Sequence, residues 1–338
     1  MTRTPAPIVA AGLAARSRWH PVEIVFWLVA FASYFLLPGK HLILNEIAIL
    51  ALFAISLDLI LGYAGIVSLG HAAFLGFGAY TAGLFAKHIH PDPLIGLAVA
   101  TLGAALLGFV SSFLVLRGND LTRLMITLGI GLILLELANQ MGWLTGGADG
   151  LQGVVMGPLL GMFEFDMFGK TSYAYSLITL FVMFLIARRI VYSPFGMSLC
   201  AIRDNALRAS AIGIPVNHRL VAVYTLSAAY AGVAGALMAQ TSQYASLDVL
   251  SFEKSADVML VLVIGGAGYL YGGIIGAVIF KVLQDWLSAI TPQYWHFWIG
   301  LILVIIVLIG RERMSRGVAT LVAPFRRKPA IPAVKAEA

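Results

Sequence analysis

Long runs of apolar residues dominate the sequence. A membrane-spanning helix needs roughly 20 mostly apolar residues, because each residue rises about 1.5 Å and the hydrocarbon layer is about 30 Å thick. Ten stretches qualify: residues 21–37, 42–61, 65–86, 94–116, 121–143, 172–190, 220–243, 256–267, 272–290 and 295–310. Only 11% of the residues are charged, against about 25% in soluble domains, so most of the surface must face lipid. The sequence therefore predicts an all-α, polytopic membrane protein of about ten transmembrane helices, some of them interrupted.

The positions of the basic residues predict the orientation of the chain. With ten spans, 17 of the 22 Lys and Arg residues fall on one side of the membrane. They are Arg3, Arg16, Arg18, Arg117, Arg123, Arg188, Arg189, Arg203, Arg208, Arg219, Arg311, Arg313, Arg316, Arg326, Arg327, Lys328 and Lys335. Cytoplasmic loops carry an excess of basic residues, so both termini are expected in the cytoplasm. Merging the eighth and ninth stretches would reverse the side of the C-terminal arginines, which favours a break at 265–273.

This arrangement predicts three parts. Residues 1–20 form a cytoplasmic N-terminal segment, residues 21–310 form the transmembrane domain, and residues 311–338 form a basic cytoplasmic tail. The net charge of +6 then reflects orientation and does not indicate nucleic-acid binding. Cys200 is the one cysteine, which excludes an intramolecular disulfide and a cysteine-based metal site.

The third apolar stretch is rich in glycine and hydroxyl groups, which weaken a regular helix. Interrupted helices at membrane depth are tolerated where they line a cavity, and their freed backbone groups can bind solutes. We therefore predict a substrate pathway along Ser68, Gly70, His71, Gly78 and Tyr80. The alternative is that these side chains bond neighbouring helices, which is the commoner role of a single histidine among small residues.

Ionisable residues inside spans are functional candidates because they are costly in lipid. They are Glu46, Asp58, Glu136, Lys281 and Asp285. Asp58 and Glu46 lie close enough to helix ends to reach water, and Lys281 and Asp285 have the four-residue spacing of a helical ion pair. Glu136, which lies near Asn139 and Gln140, either faces the substrate or joins helices. The four-residue spacing of Gly268, Gly272 and Gly276 indicates helix packing.

Two loops are long enough to contact other proteins. In residues 192–218, Pro194 and Pro215 bracket a segment whose apolar residues recur at helical spacing, which predicts a short amphipathic helix. Such a helix can lie in lipid headgroups or fit a groove on a cytoplasmic partner, and the mixed charges of Arg203 and Asp204 favour the partner. The glycine-rich loop 144–171 on the other side is either a docking surface or a flexible connector.

Several motifs together resemble the branched-chain amino acid permeases of ATP-binding cassette (ABC) importers. They are Leu61–Gly65, Ser68–Ala72, Gly78–Tyr80, Ala201–Asn205, Gly213–Ile214, Ser227–Ala228 with Gly232, Gly235 and Ala236, and Ser251–Ser255 leading into Gly265–Gly268 and Gly272. The likeness covers residues 42–290 in order and is closer to the second of the two permease subunits. Two features depart from the family pattern. Ala206 stands where an acidic residue is common, and Arg311-Glu312-Arg313 follows the last span, where the family often has a Pro-Gly-type ending.

The resemblance implies a function and a set of partners. The chain would pair with a second homologous permease, two cytoplasmic ATPase subunits and a periplasmic binding protein in the bacterial inner membrane. The ATPase subunits would use ATP and Mg, with no cofactor in this chain, which carries no Walker-type phosphate loop and is not expected to be an enzyme. Arg203, Asp204, Asn205 and Gly213 would form the loop that couples to the ATPase.

The transported solute is open within this family, whose members also carry urea, short amides and aromatic acids. A different class also fits the residues: an ion-coupled secondary transporter could use Glu46, Asp58, Glu136 or Lys281 as a proton or sodium relay. A membrane-embedded enzyme or scaffold fits less well, because the sequence contains no metal-ligand pair and no nucleophile with a nearby base at recognisable spacing.

Overall fold

The computed structural model describes residues 19–309, and helices make up about three quarters of that range. The helices are α1 (Pro21–Leu36), α2 (His41–Leu61), α3 (Ala72–His88), α4 (Pro93–Val115), α5 (Asp120–Gln140), α6 (Gly142–Thr145), α7 (Lys170–Val191), α8 (Pro194–Asp204), α9 (Ala206–Ala211), α10 (Val216–Ser242), α11 (Phe252–Gly265), α12 (Leu270–Ile290) and α13 (Trp295–Ile309). Two short 3₁₀ turns cover Gly147–Asp149 and Leu247–Leu250.

Six of these helices are long and apolar enough to cross a membrane: α2, α4, α5, α7, α10 and α12. The shorter α1 is also strongly apolar. The chain is thus a multi-pass membrane protein, as predicted. The count of ten spans and the cytoplasmic location of both termini stay predictions. Most of the predicted N-terminal segment and the whole basic tail lie outside the described residues.

The predicted interruptions appear as two breaks between helices. The third stretch was predicted to span 65–86, but α3 begins only at Ala72, and residues 62–71 form a non-helical segment after α2. The predicted separation of the eighth and ninth stretches is confirmed, because α11 ends at Gly265 and α12 begins at Leu270.

The core is built around α10, which packs mainly against α4 and α3 and also against α2. Small residues allow this contact: a Cβ on Gly232 would overlap the methyl of Ala104, and one on Gly108 would overlap that of Ala228. Close backbone approach at small residues is how helices gain packing energy where no water is available to drive them together. The small residues of α10 and α4 therefore allow α10 to pack at the centre of the bundle.

A partly buried ion pair joins α1 to the last turn of α7. The guanidinium of Arg188 donates to the carboxylate of Glu23 at 2.5 Å and lies 4.4 Å from the ring centroid of Trp19. Arg188 also sits at the C-terminal end of α7, where a cation is favoured by the helix dipole. The end of the bundle that carries Arg188 and Arg189, in the last turn of α7, is called the arginine-rich end below.

The chain divides into two compact units, Met1–Val282 and Leu283–Ala338. The second unit contains the last residues of α12 and all of α13. Every residue of the candidate site lies in the first unit.

Candidate functional site

The break at residues 62–71 begins with a helix-ending turn at Gly65. Gly65 has φ +73°, its N–H donates to Leu61 O at 3.2 Å, and the N–H of Ile66 donates to Ile60 O at 2.8 Å. These two bonds close a turn around a residue in the left-handed region, a backbone conformation that favours glycine. The turn redirects the chain out of α2 before α3 starts.

Hydroxyl groups from two other helices satisfy the backbone of the break. The N–H of Leu69 donates to Thr127 Oγ1 of α5 at 3.3 Å, and the N–H of Ala72 donates to Ser255 Oγ of α11 at 2.9 Å. Irregular backbone at membrane depth survives only where protein or water pairs with it. The break is thus held by α5 and α11.

His71 lies in the packed interior beside this break. Its Nε2 is 2.8 Å from Ser56 Oγ, and its ring stacks on Phe53 with centroids 5.4 Å apart. The Ser56 hydroxyl has one proton, which it donates to Phe53 O at 2.6 Å. Nε2 must therefore carry the proton and donate to Ser56. This geometry favours a structural role for His71, in which the side chain forms a hydrogen bond to the neighbouring helix α2.

The other predicted pathway residues are also enclosed. A Cβ on Gly70 would overlap Thr127 O, and one on Gly78 would overlap Gly232 O, so both glycines face neighbouring backbone. Ser68 and Tyr80 are buried. A crevice beside Gly70, lined by α5 residues Leu128 and Gly131, has a volume of about 10 Å³, which is room for about one water.

Helix α5 has a largely uncovered surface, in contrast to the break. Among the described residues of α5, only Thr127, Gly131 and Ala138 are buried. Its exposed face carries Glu136, whose carboxylate accepts from Gln140 Nε2 at 2.7 Å. An ionisable group on a membrane helix is costly in lipid, so this face is expected to be covered by protein or to border water.

A polar junction connects the two breaks to the loop at 192–218. The carboxylate of Asp58 accepts from the Gly268 N–H at 2.7 Å, and Arg203 Nη1 donates to Gly62 O at 2.6 Å. Asp58 is fully buried, so the expectation that it reaches water is wrong. Gly268 has φ +79° and lies between α11 and α12, so it does not share a helix face with Gly272.

Gly272 and Gly276 bring α12 against α11. A Cβ on Gly272 would overlap Gly266 O, and one on Gly276 would overlap Val261 O. The two backbones are therefore in direct contact, which only small residues permit.

The ammonium of Lys281 pairs with the carboxylate of Glu46, Nζ to Oε2, at 2.8 Å. The four-residue spacing had suggested Asp285 as its partner. The pair joins α12 to α2 across 235 sequence positions, which local spacing cannot reveal.

The loop at 192–218 folds into α8 and α9, which confirms the predicted helix and adds a second one. Ser193 and Asn205 cap them by accepting backbone N–H bonds. Leu199, Ile202 and Ala209 face the interior, whereas Leu207 and Ile212 are 84% and 72% exposed. Gly213, with φ +87°, ends the second helix, and Arg203 pairs with Asp204 at 3.1 Å.

Cys200 lies half-buried on α8. Burial raises the pKa of its thiol; Arg203 lowers that pKa and Asp204 raises it, and the net result is a value above the ordinary one. The thiol is therefore less reactive at neutral pH than an exposed cysteine.

The loop at 144–171 is more structured than a flexible connector. Its Gly157 N–H donates to Pro91 O at 2.8 Å, and Lys87 donates to Gln152 O at 2.9 Å. Asp166 accepts from the Thr171 N–H at 2.9 Å at the start of α7. Partial burial raises the pKa of Asp166, but the N–H groups of Thr171 and Lys170 lower it by more, so its pKa is below the ordinary value.

Four hydroxyl residues around the break were not among the predicted site residues. They are Ser56, Thr127, Ser227 and Ser255; Ser227 donates to the Ser56 carbonyl oxygen at 2.5 Å. Ser56, Thr127 and Ser227 lie inside apolar stretches, where hydroxyls usually bond across helices, and this is a usable signal. Ser255 precedes the stretch 256–267 and carries no such signal.

Comparison with known proteins places these features in a family. The family model "Branched-chain amino acid transport system / permease component" matches residues 41–308. The "High-affinity branched-chain amino acid transport system permease protein LivM" of Escherichia coli is 26% identical over 255 residues, which are 69% of this chain and 60% of that protein. The chain thus spans 60% of the length of that relative. No solved structure matches the chain.

Sugar permeases are similar as well. The "L-arabinose ABC transporter permease protein AraH" of Azospirillum brasilense is 23% identical over 335 residues, covering 93% of this chain and 95% of that protein. The "Fructose import permease protein FrcC" of Rhizobium meliloti is 23% identical over 301 residues, covering 85% of this chain and 82% of that protein. Because the family model covers most of the sequence, the chain belongs to the family of branched-chain amino acid transport system permease components of ABC transporters.

Proposed function

We propose that this chain is the membrane-spanning subunit of an ABC importer in the bacterial inner membrane and carries branched-chain or related amino acids. A second homologous permease, two cytoplasmic ATPase subunits and a periplasmic binding protein complete the transporter. The chain itself performs no chemistry; the ATPase subunits hydrolyse ATP with Mg.

The surface of α8 and α9 is the observation that carries this proposal. Leu207 and Ile212 are exposed beyond the arginine-rich end of α7, on a loop whose helices are capped and whose other face is buried. Apolar side chains held rigidly on a water-facing surface are typical of a protein-docking site. The mixed charges of Arg208 and Asp204 fit a protein groove better than an anionic lipid surface.

The solute crosses, in this proposal, along the uncovered face of α5. Glu136 and Gln140 lie on that face, and a Cβ on Gly129 would meet no neighbouring atom within 4 Å. A second permease that faces α5 would enclose a passage between the subunits. In this proposal, His71 and Gly78, which are enclosed, hold the wall of the passage, and Glu136 is the pathway residue.

The family description and the LivM relative support branched-chain amino acids as the solute. The similarity to arabinose and fructose permeases keeps sugars as an alternative solute class, beside urea, short amides and aromatic acids. The ion-coupled alternative has less support, because Glu46 is paired with Lys281 and Asp58 accepts a backbone hydrogen bond.

Affinity purification and uptake together test the proposal. The tagged chain should co-purify with an ATPase subunit, and uptake of radiolabelled leucine should stop when ATP is depleted while the proton gradient is kept. Absence of an ATPase, with uptake that a protonophore abolishes at constant ATP, would instead establish the ion-coupled transporter. If unlabelled arabinose inhibited leucine uptake and unlabelled isoleucine did not, the solute class would be reassigned to sugars.

A further inference from the structure

Arg203 is directed into the membrane domain, although it lies on the predicted ATPase-coupling loop. Its Nη1 donates to Gly62 O at 2.6 Å, and Nε and Nη2 donate to the Asp204 carboxylate at 3.2 and 3.1 Å. Its side-chain stem crosses the turn that ends α2: a Cβ on Gly65 would be 2.8 Å from Arg203 Cγ. One face of the guanidinium therefore remains at the loop surface while one donor reaches the break.

The acceptor of this bond is the carbonyl that follows α2. The last carbonyls of a helix have no partner within the helix, and a cation there is favoured by the helix dipole. A hydrogen bond from a charged donor is stronger than a neutral one. Arg203 thus provides a strong, directional connection between α8 and the first residue of the break.

The same junction reaches the second break. A Cβ built on Gly268 would lie 3.4 Å from Arg203 Nη1 and 3.3 Å from Gly62 O. The N–H of Gly268 donates to the Asp58 carboxylate at 2.7 Å. Asp58 belongs to the last turn of α2, so α2, the α11–α12 turn and α8 meet within one hydrogen-bonded cluster. Three elements far apart in sequence are therefore constrained to move together.

We infer that Arg203 is a positioning residue that transmits motion of α8 to both membrane breaks, through Gly62 and the Asp58–Gly268 bond, instead of an ATPase contact. This inference rests on the proposed function. When the ATPase moves α8, the bond to Gly62 O pulls on residues 62–71, the segment that carries His71 and leads into α3. The predicted coupling role of Arg203 is thus retained, but it acts inward.

The test reads movement of the break directly. Ser68 lies in the break and is buried, and its hydroxyl has no hydrogen-bond partner among the described residues, so Ser68→Cys loses no bond. In a Cys200→Ser background, this is the sole thiol of the chain. The labelling rate at position 68 by a maleimide is measured in the purified complex, with and without a non-hydrolysable ATP analogue.

With Arg203 present, we expect the nucleotide to change that rate by about tenfold, which corresponds to a shift of about 1.4 kcal/mol in local opening. Arg203→Met should abolish the change while the ATPase stays bound. Arg203→Lys keeps one donor and should give an intermediate change. Arg189→Met is the matched control, since Arg189 is exposed at the arginine-rich end, and it should behave like the parent.

Three results would overturn the inference. The first is an unchanged nucleotide response in Arg203→Met, and the second is no response in the parent. The third is loss of the ATPase from Arg203→Met alone, which would place Arg203 at the docking surface. If Arg203→Met does not reach the membrane, Arg203→Lys decides, because a full parental response there overturns the inference and an intermediate one supports it. A parent chain that binds no ATPase contradicts the proposed function instead.

Discussion

The Nε2 atom of His71 lies 2.8 Å from the hydroxyl oxygen of Ser56, and both side chains are fully buried. This bond joins α2 to the residue that precedes α3, so it crosses the break at the point where the chain resumes its helix. A histidine in this position contributes through packing and through one hydrogen bond, and these two contributions have different sizes.

Replacing His71 by Ala should cost about 2–4 kcal/mol of stability, because it removes a buried ring stacked on Phe53 and leaves a cavity. Ser56→Ala should cost only about 0.5–1 kcal/mol, the usual size of one hydrogen bond between membrane helices. Thermal denaturation in detergent measures both. If His71→Ala had normal stability but no transport, His71 would be a solute ligand and not a structural residue.

Gly78→Ala should prevent the packing of α3 against α10, because the added Cβ would overlap the Gly232 carbonyl oxygen and no side-chain movement can relieve a backbone clash. We expect a large loss of folded protein in the membrane. Gly129→Ala on α5 is the matched control, since a Cβ there meets nothing within 4 Å and Ala favours the helix by up to about 1 kcal/mol. Equal membrane levels of the two variants would refute the close approach. The levels are compared by size-exclusion chromatography of detergent extracts.

Leu207→Asp should release the ATPase from the complex, because a charge would replace the most exposed apolar side chain of α9. The chain itself should insert and fold normally, since Leu207 is 84% exposed. Met162→Asp is the control: Met162 is 79% exposed in the loop before α7, at the opposite end of that helix. The measurement is the amount of ATPase that co-purifies per permease. Release by both variants would indicate a general defect in assembly.

Asp166 should make the loop at 144–171 sensitive to acid. Its pKa lies below the ordinary 3.8, because the N–H groups of Thr171 and Lys170 outweigh the effect of partial burial, so the charged form stabilises the folded state. The stabilisation is fully present above the unfolded pKa and is lost as the pH falls below 3.8 through the folded value.

Asp166→Asn retains an oxygen that can accept from Thr171 and should remove that part of the pH dependence. Melting temperatures between pH 6 and pH 3 measure the effect, and Glu164→Gln, in the same loop, serves as the control. A parent and an Asp166→Asn variant with identical pH profiles would show that the charge of Asp166 does not stabilise the folded loop.

The sequence predicts the kind of protein and the existence of the breaks better than it predicts contacts across them. Glycines and hydroxyls in an apolar stretch indicate an interrupted helix, because their effect on helix stability is local. The start of α3 at Ala72 was not predictable in this way, because its N–H is satisfied by Ser255, 183 positions away. Asp58 was misplaced for the same reason: its partner is a backbone N–H, which has no signature in composition.

Spacing misled at two positions because it describes only one helix at a time. Gly268 matches the four-residue repeat of Gly272, yet it occupies a turn with positive φ. Lys281 has an acidic residue four positions on, yet it pairs with Glu46 on another helix. The amphipathic pattern of α8 was predictable, since its caps and its apolar positions lie within the helix itself.

The bond between Asp58 and Gly268 has a consequence for how the protein is made. Its two residues are separated by 210 positions, and ribosomes add about 5–20 residues each second, so Gly268 is synthesised about 10–40 seconds after Asp58. The helices on either side of the first break must therefore be delivered to the membrane well before the turn that completes the junction exists. The contact between the end of α2 and the α11–α12 turn is thus completed only after most of the chain has been synthesised.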